Sequence, residues 1–246
     1  MTDRIAVCSM FRDSEVWHGR QINQVGRFFA QMKAQGVPLK FFLIEGDSTD
    51  NTVVALEREG YLAGLDGHEV TLLTHEVGGG RVESSVDEVR FANLSKCGNI
   101  ALNAAKASGC EYIFWVESDF VIQDSQLINK LIARLSENSD SLAISPVPTY
   151  ETRNEFYDTF VFKTDEGGAF GPSMEPFSGS SLMNLSAFGS CGLMRASLLV
   201  KHDLDFGSRC FMGLCERAHN LGMSIYCDPT LKIYHPSQIN IAGRLV

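Results

Sequence analysis

The sequence predicts an α/β fold with a mostly parallel central sheet and helices on both faces. Three observations carry this. The order strand, polar loop, helix occurs twice in succession at the amino end, as in parallel sheets with right-handed crossovers. Leu39–Ile44 and Tyr112–Val116 are unbroken β-branched, aromatic and aliphatic runs, the form taken by strands buried on both faces. The second run stops abruptly at Glu117-Ser118-Asp119, which puts two carboxylates at the carboxyl end of a buried strand, where open α/β sheets place ligands. In an extended chain the side chains at i and i+2 point the same way, so Glu117 and Asp119 can share one divalent cation.

The elements follow in order. Ile5–Cys8 reads as a first buried strand, with Met10, Phe11, Arg12 and Asp13 in the loop at its end. Ile22, Val25, Phe29 and Met32 recur at helical spacing and predict a helix from Ser14 to Gln35, stopped by Gly36 and Pro38. After the strand Leu39–Ile44 comes the polar loop Glu45 to Thr52. There Asp50 is a natural N-cap for a helix from Asn51 to Glu59, closed by Gly60. Val70–Thr74 is a third strand, followed by a glycine loop at Gly78–Arg81. Apolar positions from Val86 to Ala105 give a long helix over Ser84–Ala107, weakened in the middle by Gly98.

Gln126–Leu135 is amphipathic and helical. Ser141–Val147 is a strand ended by Pro146 and Pro148, and Glu155–Phe162 an aromatic-rich extended element. Thr164–Ser190 is rich in glycine and serine yet carries Phe170, Met174, Phe177 and Phe188. It reads either as a lid that orders over a ligand or as a structural loop. Gly192–Val200 resumes regular structure, Arg209–Leu221 is a helix ended by Gly222, and Met223–Cys227 and Leu231–Tyr234 are short strands ending at His235.

Bulk properties narrow the function. A formal charge of −9 argues against a nonspecific nucleic-acid or anionic-membrane binder. No apolar run approaches the length of a membrane span, so stable membrane insertion is not expected. Met1–Arg4 runs straight into the first strand without a signal-peptide pattern. Seven cysteines, an odd number with no Cys-x-x-Cys, suit reduced buried thiols, and together these features lead to an expectation of a cytoplasmic protein.

Three stretches stand in a telling order: Ile44-Glu45-Gly46-Asp47-Ser48-Thr49-Asp50-Asn51-Thr52, then Trp115-Val116-Glu117-Ser118-Asp119, then Glu216–Gly222 through Asp228-Pro229 to Tyr234-His235. This resembles the nucleotide-sugar glycosyltransferases of GT-A fold, nearest the family 2 group, with some likeness to Anp1-type mannosyltransferases. The resemblance spans Ile5 to His235. It implies one GT-A domain over residues 1–246, with a nucleotide-binding half (1–123) and an acceptor-side half (124–246). It further implies a nucleotide-diphospho-sugar donor and a hydroxyl acceptor, either a glycan or a modified nucleobase. On that pattern Glu45 faces the base, Asp50 shapes the nucleotide pocket, Glu117-Ser118-Asp119 takes the place of the Asp-x-Asp motif with Asp119 the direct metal ligand, and His235 supplies a third ligand.

The chemistry is coherent. A diphosphate leaving group gains negative charge as the glycosidic bond breaks, and a cation held by carboxylates offsets it. Hard oxygen ligands suit Mn²⁺ or Mg²⁺, and the imidazole favours Mn²⁺. Arg12, Arg81 and Arg90 are candidate phosphate or sugar contacts on loop position and charge.

One departure stands out. The Glu-Asp pair that supplies the general base in inverting relatives would fall on Cys210-Phe211, which cannot take a proton from an alcohol. Either Asp205, between Leu204 and Phe206, moves in as the base, which is the choice here, or the enzyme retains configuration without a dedicated base, or activity has been lost. The competing expectations are a non-catalytic sugar-nucleotide or carbohydrate binder, and a nucleotidyltransferase. The latter is disfavoured because Ser9-Met10-Phe11-Arg12 is not a glycine-rich phosphate loop.

Overall fold

Strands that are buried along nearly their whole length have to be covered on both faces, and such strands occupy the middle of the sheet. In the computed structural model, which describes residues 5–16, 23–78 and 88–236, the elements are β1 (Ile5–Phe11), α1 (Gln24–Lys33), β2 (Leu39–Glu45), α2 (Thr52–Leu65), β3 (Glu69–Thr74), α3 (Glu88–Ala107) and β4 (Tyr112–Val116). They continue with α4 (Leu127–Ser136), β5 (Ser141–Tyr150), β6 (Lys163–Thr164), a 3-10 turn at Glu175–Phe177, β7 (Met183–Ala187), β8 (Cys191–Arg195), α5 (Ala196–Lys201), α6 (Phe211–Asn220) and β9 (Ser224–His235). The described strands form one sheet in the order β3-β2-β1-β4-β8-β5-β9-β7-β6.

β3, β2, β1 and β4 are parallel neighbours, β8 runs antiparallel between β4 and β5, and β9 is parallel to β5. The carboxyl ends of β1, β2, β4, β5 and β9 therefore share one edge of the sheet. β8 runs the other way, so its leading residue Ser190 reaches the same edge. Helices α1, α2 and α4 bury Val25, Phe28, Ala55, Leu127 and Leu131 against one face, and α3, α5 and α6 bury Ala101, Leu199 and Leu214 against the other. All seven cysteines are free and buried, as their apolar surroundings in the sequence led us to expect.

Several expected boundaries move, each for a physical reason. The first helix is shorter than Ser14–Gln35. It begins after Asn23, whose side chain accepts from the Gly26 N–H at 2.9 Å, and Gly36 follows it with φ +67°. Residues 17–22, including Ile22, lie outside the described part, as do Arg81 and the predicted helix start at Ser84–Val86. The second helix runs through Gly60 to Leu65, because that glycine lies under Val70, whose Cγ1 would be 3.2 Å from an added Cβ. β5 passes through Pro146 and Pro148. Its pairing with β8 covers only Ala143 and Ile144, so the missing proline donors leave no ladder bond broken there. Glu155–Phe162 is not a strand and contributes only the Thr149–Phe156 bridge. The last two predicted strands are one, β9, with a bulge between Asp228 and Lys232.

Thr164–Ser190 is more ordered than a bare lid. It supplies β6 and β7, and its Phe170 and Phe177 rings pack with Phe156 and Phe162 at centroid distances of 4.8–6.2 Å. The rings that seemed to need a ligand surface cover one another.

Gly98, a weak point of the third helix on propensity alone, is required by packing. A Cβ there would lie 2.8 Å from the Phe206 ring, which Trp115 and Phe211 hold edge-on at 5.0 and 4.8 Å. Alanine gains about 1 kcal/mol in a helix interior, but overpacking a filled core costs about 1–3 kcal/mol. Gly98→Ala is therefore expected to lower stability by up to about 2 kcal/mol, seen as a lower urea midpoint at unchanged slope. A raised midpoint would show that Phe206 yields.

Candidate functional site

The site is built where the strand ends meet. After Val116 the chain makes a tight turn, with the Phe120 N–H donating to the Glu117 carbonyl at 3.2 Å and the Glu117 N–H to the Ser190 carbonyl at 3.0 Å. The end of β9 docks on this turn. The Val121 N–H donates to the Tyr234 carbonyl at 2.7 Å and the Tyr234 N–H returns to the Val121 carbonyl at 3.0 Å. The next residue, His235, is thereby set with Nε2 3.3 Å from Asp119 Oδ2. Tyr157 stacks on the imidazole at 3.9 Å with the planes 9° apart, and Phe120 meets it edge-on at 5.3 Å. The ring is buried and fixed from two sides.

Carboxylates gather beside this pair. Burial pushes the Glu117 carboxyl up to about 8, the charges of Asp119 and Asp158 add to the rise, and Arg90 opposes it. Burial likewise raises the Asp158 carboxyl, although it accepts from the Val161 N–H at 3.0 Å and from the Ser190 hydroxyl at 3.2 Å. Among the described residues, no three His, Cys, Asp or Glu side chains converge as a group that could hold a metal ion by themselves. The contact present is the pair Asp119 and His235. Its carboxylate oxygen and imidazole nitrogen are donors of the kind that could hold a divalent cation with further ligands from outside the chain.

At the ends of β1 and β2 two loops are laced together. Glu45, buried at the end of β2, accepts from the Ser48 N–H at 2.6 Å. Asp50 accepts from the Glu15 N–H at 2.9 Å and the Thr52 N–H at 3.0 Å. It thus serves the helix start without being the N-cap residue, a place that Asn51 takes without a side-chain cap bond. Asp13 accepts from the Thr49 N–H at 2.8 Å, and the Asp13 N–H donates to Ser48 Oγ at 2.9 Å. Asp13 and Asp47 hold φ of +46° and +54°, a region aspartate tolerates better than most residues. Arg12 lies exposed at the end of β1.

Asp205 sits elsewhere. Its carboxylate pairs with Arg217 and accepts from the Gly207 N–H at 3.0 Å, and no described hydrogen bond or ion pair joins it to Glu117, Asp119 or His235. The acid that the fold brings to Glu117 is Asp158, which sequence reasoning passed over.

A second group was also missed. The side chains of Gln24, Arg27 and Gln31 on α1, with Gln35 in the turn just after it, form a polar stripe that grips the chain after β4. Gln24 Nε2 donates to Ser118 Oγ at 2.9 Å. Arg27 donates to the carbonyls of Phe120 at 2.7 Å and Asp119 at 3.0 Å. Gln31 donates to the Phe120 carbonyl at 2.9 Å and accepts from the Ile122 N–H at 3.1 Å, and Gln35 donates to the Asp124 carbonyl at 3.0 Å. Burial lowers the Arg27 guanidinium to about 10, opposed by Asp119 and Glu151. The signal was present in the sequence as polar residues recurring at spacings of three and four beside an equally regular apolar stripe.

By sequence the chain matches no family model and none of the curated proteins. By structure it resembles a mannosyltransferase from Pyrobaculum calidifontis in complex with GDP-Man and Mn²⁺, with a TM-score of 0.61 at 13% identity over 97% of this chain and 58% of that one. The chain has the GT-A fold. Staphylococcus aureus TarS in complex with UDP-GlcNAc gives a TM-score of 0.58 at 14% identity, covering 95% of this chain and 58% of that one. GalNAc-T7 with UDP, GalNAc and Mn²⁺ gives 0.60 at 11% identity, covering 96% and 43%. The GT-A chain described here spans about 60% or less of the length of these structures.

The burial of Glu117 beside other carboxylates has a measurable sign. Glu117 binds its proton more tightly folded than unfolded, so its contribution to stability is greatest below the ordinary carboxyl value of 4.5 and is lost as pH rises towards about 8. Glu117→Gln is expected to make the metal-free protein melt higher than wild type at pH 8.5 and to flatten this pH dependence. A variant that melts lower at that pH would show that burying the Glu117 charge carries no such cost.

Proposed function

We propose that the chain transfers a sugar from a nucleotide-diphosphate donor to a hydroxyl acceptor, with a divalent cation, Mn²⁺ or Mg²⁺, at Asp119. The observation that carries this reading is the meeting of Asp119 and His235 at the same sheet edge as the laced loops after β1 and β2. In this reading the nucleoside lies against those loops, with Glu45 turned to the base, Asp50 holding the loop shape and Arg12 near the phosphates. The amino-terminal half, 1–123, binds the nucleotide and 124–246 faces the acceptor. Asp119 and His235 hold the cation with Glu117 as the further carboxylate. Such a cation offsets the charge that grows on the leaving diphosphate. The Tyr157 stack and the Arg27 contacts keep the ligating groups oriented without reorganisation during the reaction. The likeness to structures holding GDP-Man and UDP-GlcNAc supports the donor class. A glycan hydroxyl is the simplest acceptor, a modified nucleobase the other, and the seven free buried cysteines support a cytoplasmic site of action.

Asp119→Ala deletes a charged ligand and leaves phosphate charge uncompensated. UDP- and GDP-sugar binding, measured by calorimetry, should gain at least tenfold from Mn²⁺ in wild type and nothing in the variant, a difference of about 1.4 kcal/mol. Equal affinity with and without Mn²⁺ in both proteins would reject the reading.

Asp205 is proposed as the base for an inverting transfer, which requires its ion pair with Arg217 to open as the acceptor enters. Asp205→Asn should then slow transfer, or the slow hydrolysis of the donor by water, by roughly 10²-fold with donor affinity unchanged. A second reading, a sugar-nucleotide binder without turnover, is favoured by that ion pair and by Cys210-Phe211 at the start of α6. Mn²⁺-dependent donor binding with no hydrolysis in either protein would select it.

A further inference from the structure

The far edge of the sheet carries features unrelated to the site. β3 is the terminal strand, and no described strand pairs with its outer side. It has no proline, and Glu69, Thr71, Leu72 and Thr74 are exposed. Such an edge presents a row of open backbone donors and acceptors. Beside it, α2 exposes Val53, Val54, Tyr61, Leu62 and Leu65, with Tyr61 at 70% and Leu65 at 67%. With Leu72, these are six of the eleven large apolar side chains that the described residues expose, so the exposed apolar surface is concentrated here.

The geometry points to a second copy of this chain as the occupant: we propose a two-fold homodimer in which β3 pairs antiparallel with its own copy, Leu72 lies on the axis, and α2 packs beside the second α2. The register follows from backbone parity. In a parallel ladder the N–H and C=O of one residue point to the same side, and neighbours alternate. The His75 N–H donates to the Glu45 carbonyl at 3.0 Å, so odd-numbered residues of this strand face β2. Val70, Leu72 and Thr74 therefore face outward. Only the register centred on Leu72 pairs these three with one another, Val70 with Thr74, Leu72 with Leu72, Thr74 with Val70, and yields about six inter-chain hydrogen bonds.

Two further facts fit that register and no foreign strand in particular. Partner positions in it sum to 144, so Glu69, which already holds Lys40 at 2.7 Å, comes opposite His75 of the second copy, and Glu76 opposite His68. Acid meets imidazole at both strand ends in a chain whose net charge of −9 would otherwise oppose association. The side chains of Val70 and Leu72 lie on the α2 face of the sheet, Val70 packing with the core beneath that helix. A two-fold axis perpendicular to the sheet keeps both helices on that one face. The exposed stripe Val54, Tyr61, Leu65 on α2 then shares its side of the sheet with its own copy. This inference does not depend on the proposed transferase activity.

Light scattering with size exclusion tests it. Wild type should run at about 54 kDa, twice the chain mass of 27.1 kDa, at roughly 50 µM and above. Leu72→Lys sets two like charges on the axis and should run as the monomer with its thermal melt retained. Because all seven native cysteines are buried, an introduced thiol can be read cleanly. Leu72→Cys places two Cα atoms about 5.5 Å apart across the axis, within disulfide range. It should oxidise to a covalent dimer at least tenfold faster than Thr71→Cys, whose own copy lies two residues out of register. A wild-type monomer at 200 µM, or equal rates for the two cysteine variants, would overturn the proposal. If Leu72→Lys fails to fold, the cysteine comparison decides alone.

Discussion

Two backbone hydrogen bonds between Val121 and Tyr234 hold the candidate site together. They fasten the last strand of the sheet to the turn that follows β4 and bring an imidazole from the end of the described chain to a carboxylate near its middle. Nothing local to either segment would do this. The turn itself is short and polar, and its carbonyls point away from the ladder, so they need partners that the sheet cannot give. Arg27 and Gln31 provide them from α1, with a guanidinium on the carbonyls of Phe120 and Asp119. A buried guanidinium and unpaired carbonyls would each be costly alone. Together they satisfy one another and fix the backbone that carries Asp119.

Electrostatic strain is concentrated at the same place. Burial raises the Glu117 carboxyl, the charges of Asp119 and Asp158 add to the rise, and Arg90 offsets only part of it. Folding energy from the core sustains this arrangement, which a stability-optimised protein would avoid. The loops after β1 and β2 show the same economy in backbone terms. Asp13 and Asp47 hold positive φ, and each is secured by its own carboxylate, to the Thr49 and Gly78 N–H groups respectively. Cys210 adopts φ +52° at the start of α6, where the Ser95 hydroxyl accepts its N–H at 2.7 Å. Crosslinked loops of this kind offer a fixed surface, which lowers the ordering cost of binding a flexible ligand.

The central strands, the parallel order and the position of Glu117-Ser118-Asp119 were legible in the sequence because each depends on local pattern. A run such as Tyr112–Val116 has no stable place except a covered strand, and the polar break after it marks the strand's end whatever packs alongside. Helix limits were less legible. Gly60 and Gly98 look like weak points on propensity, yet the first exists to pass under Val70 and the second to admit the Phe206 ring. Those needs belong to residues distant in the chain. Pro146 and Pro148 look like strand stops, and they are tolerated because β8 is too short to claim their missing donors.

The sequence by itself determined an α/β chain with a buried parallel sheet, an acidic triplet at a strand end and reduced, buried thiols, since composition and periodicity bear directly on burial. Only the tertiary structure decided which acid stands beside Glu117. Asp158 and Asp205 are both aspartates near aromatic residues in irregular chain. The course of the backbone turns the first inward against Ser190 and the second outward to Arg217. It also decided that a polar stripe on α1 serves the turn after β4 and that no described strand pairs with the outer edge of β3. These are long-range contacts, and a one-dimensional pattern records what each residue can do without recording which partner the fold will bring to it.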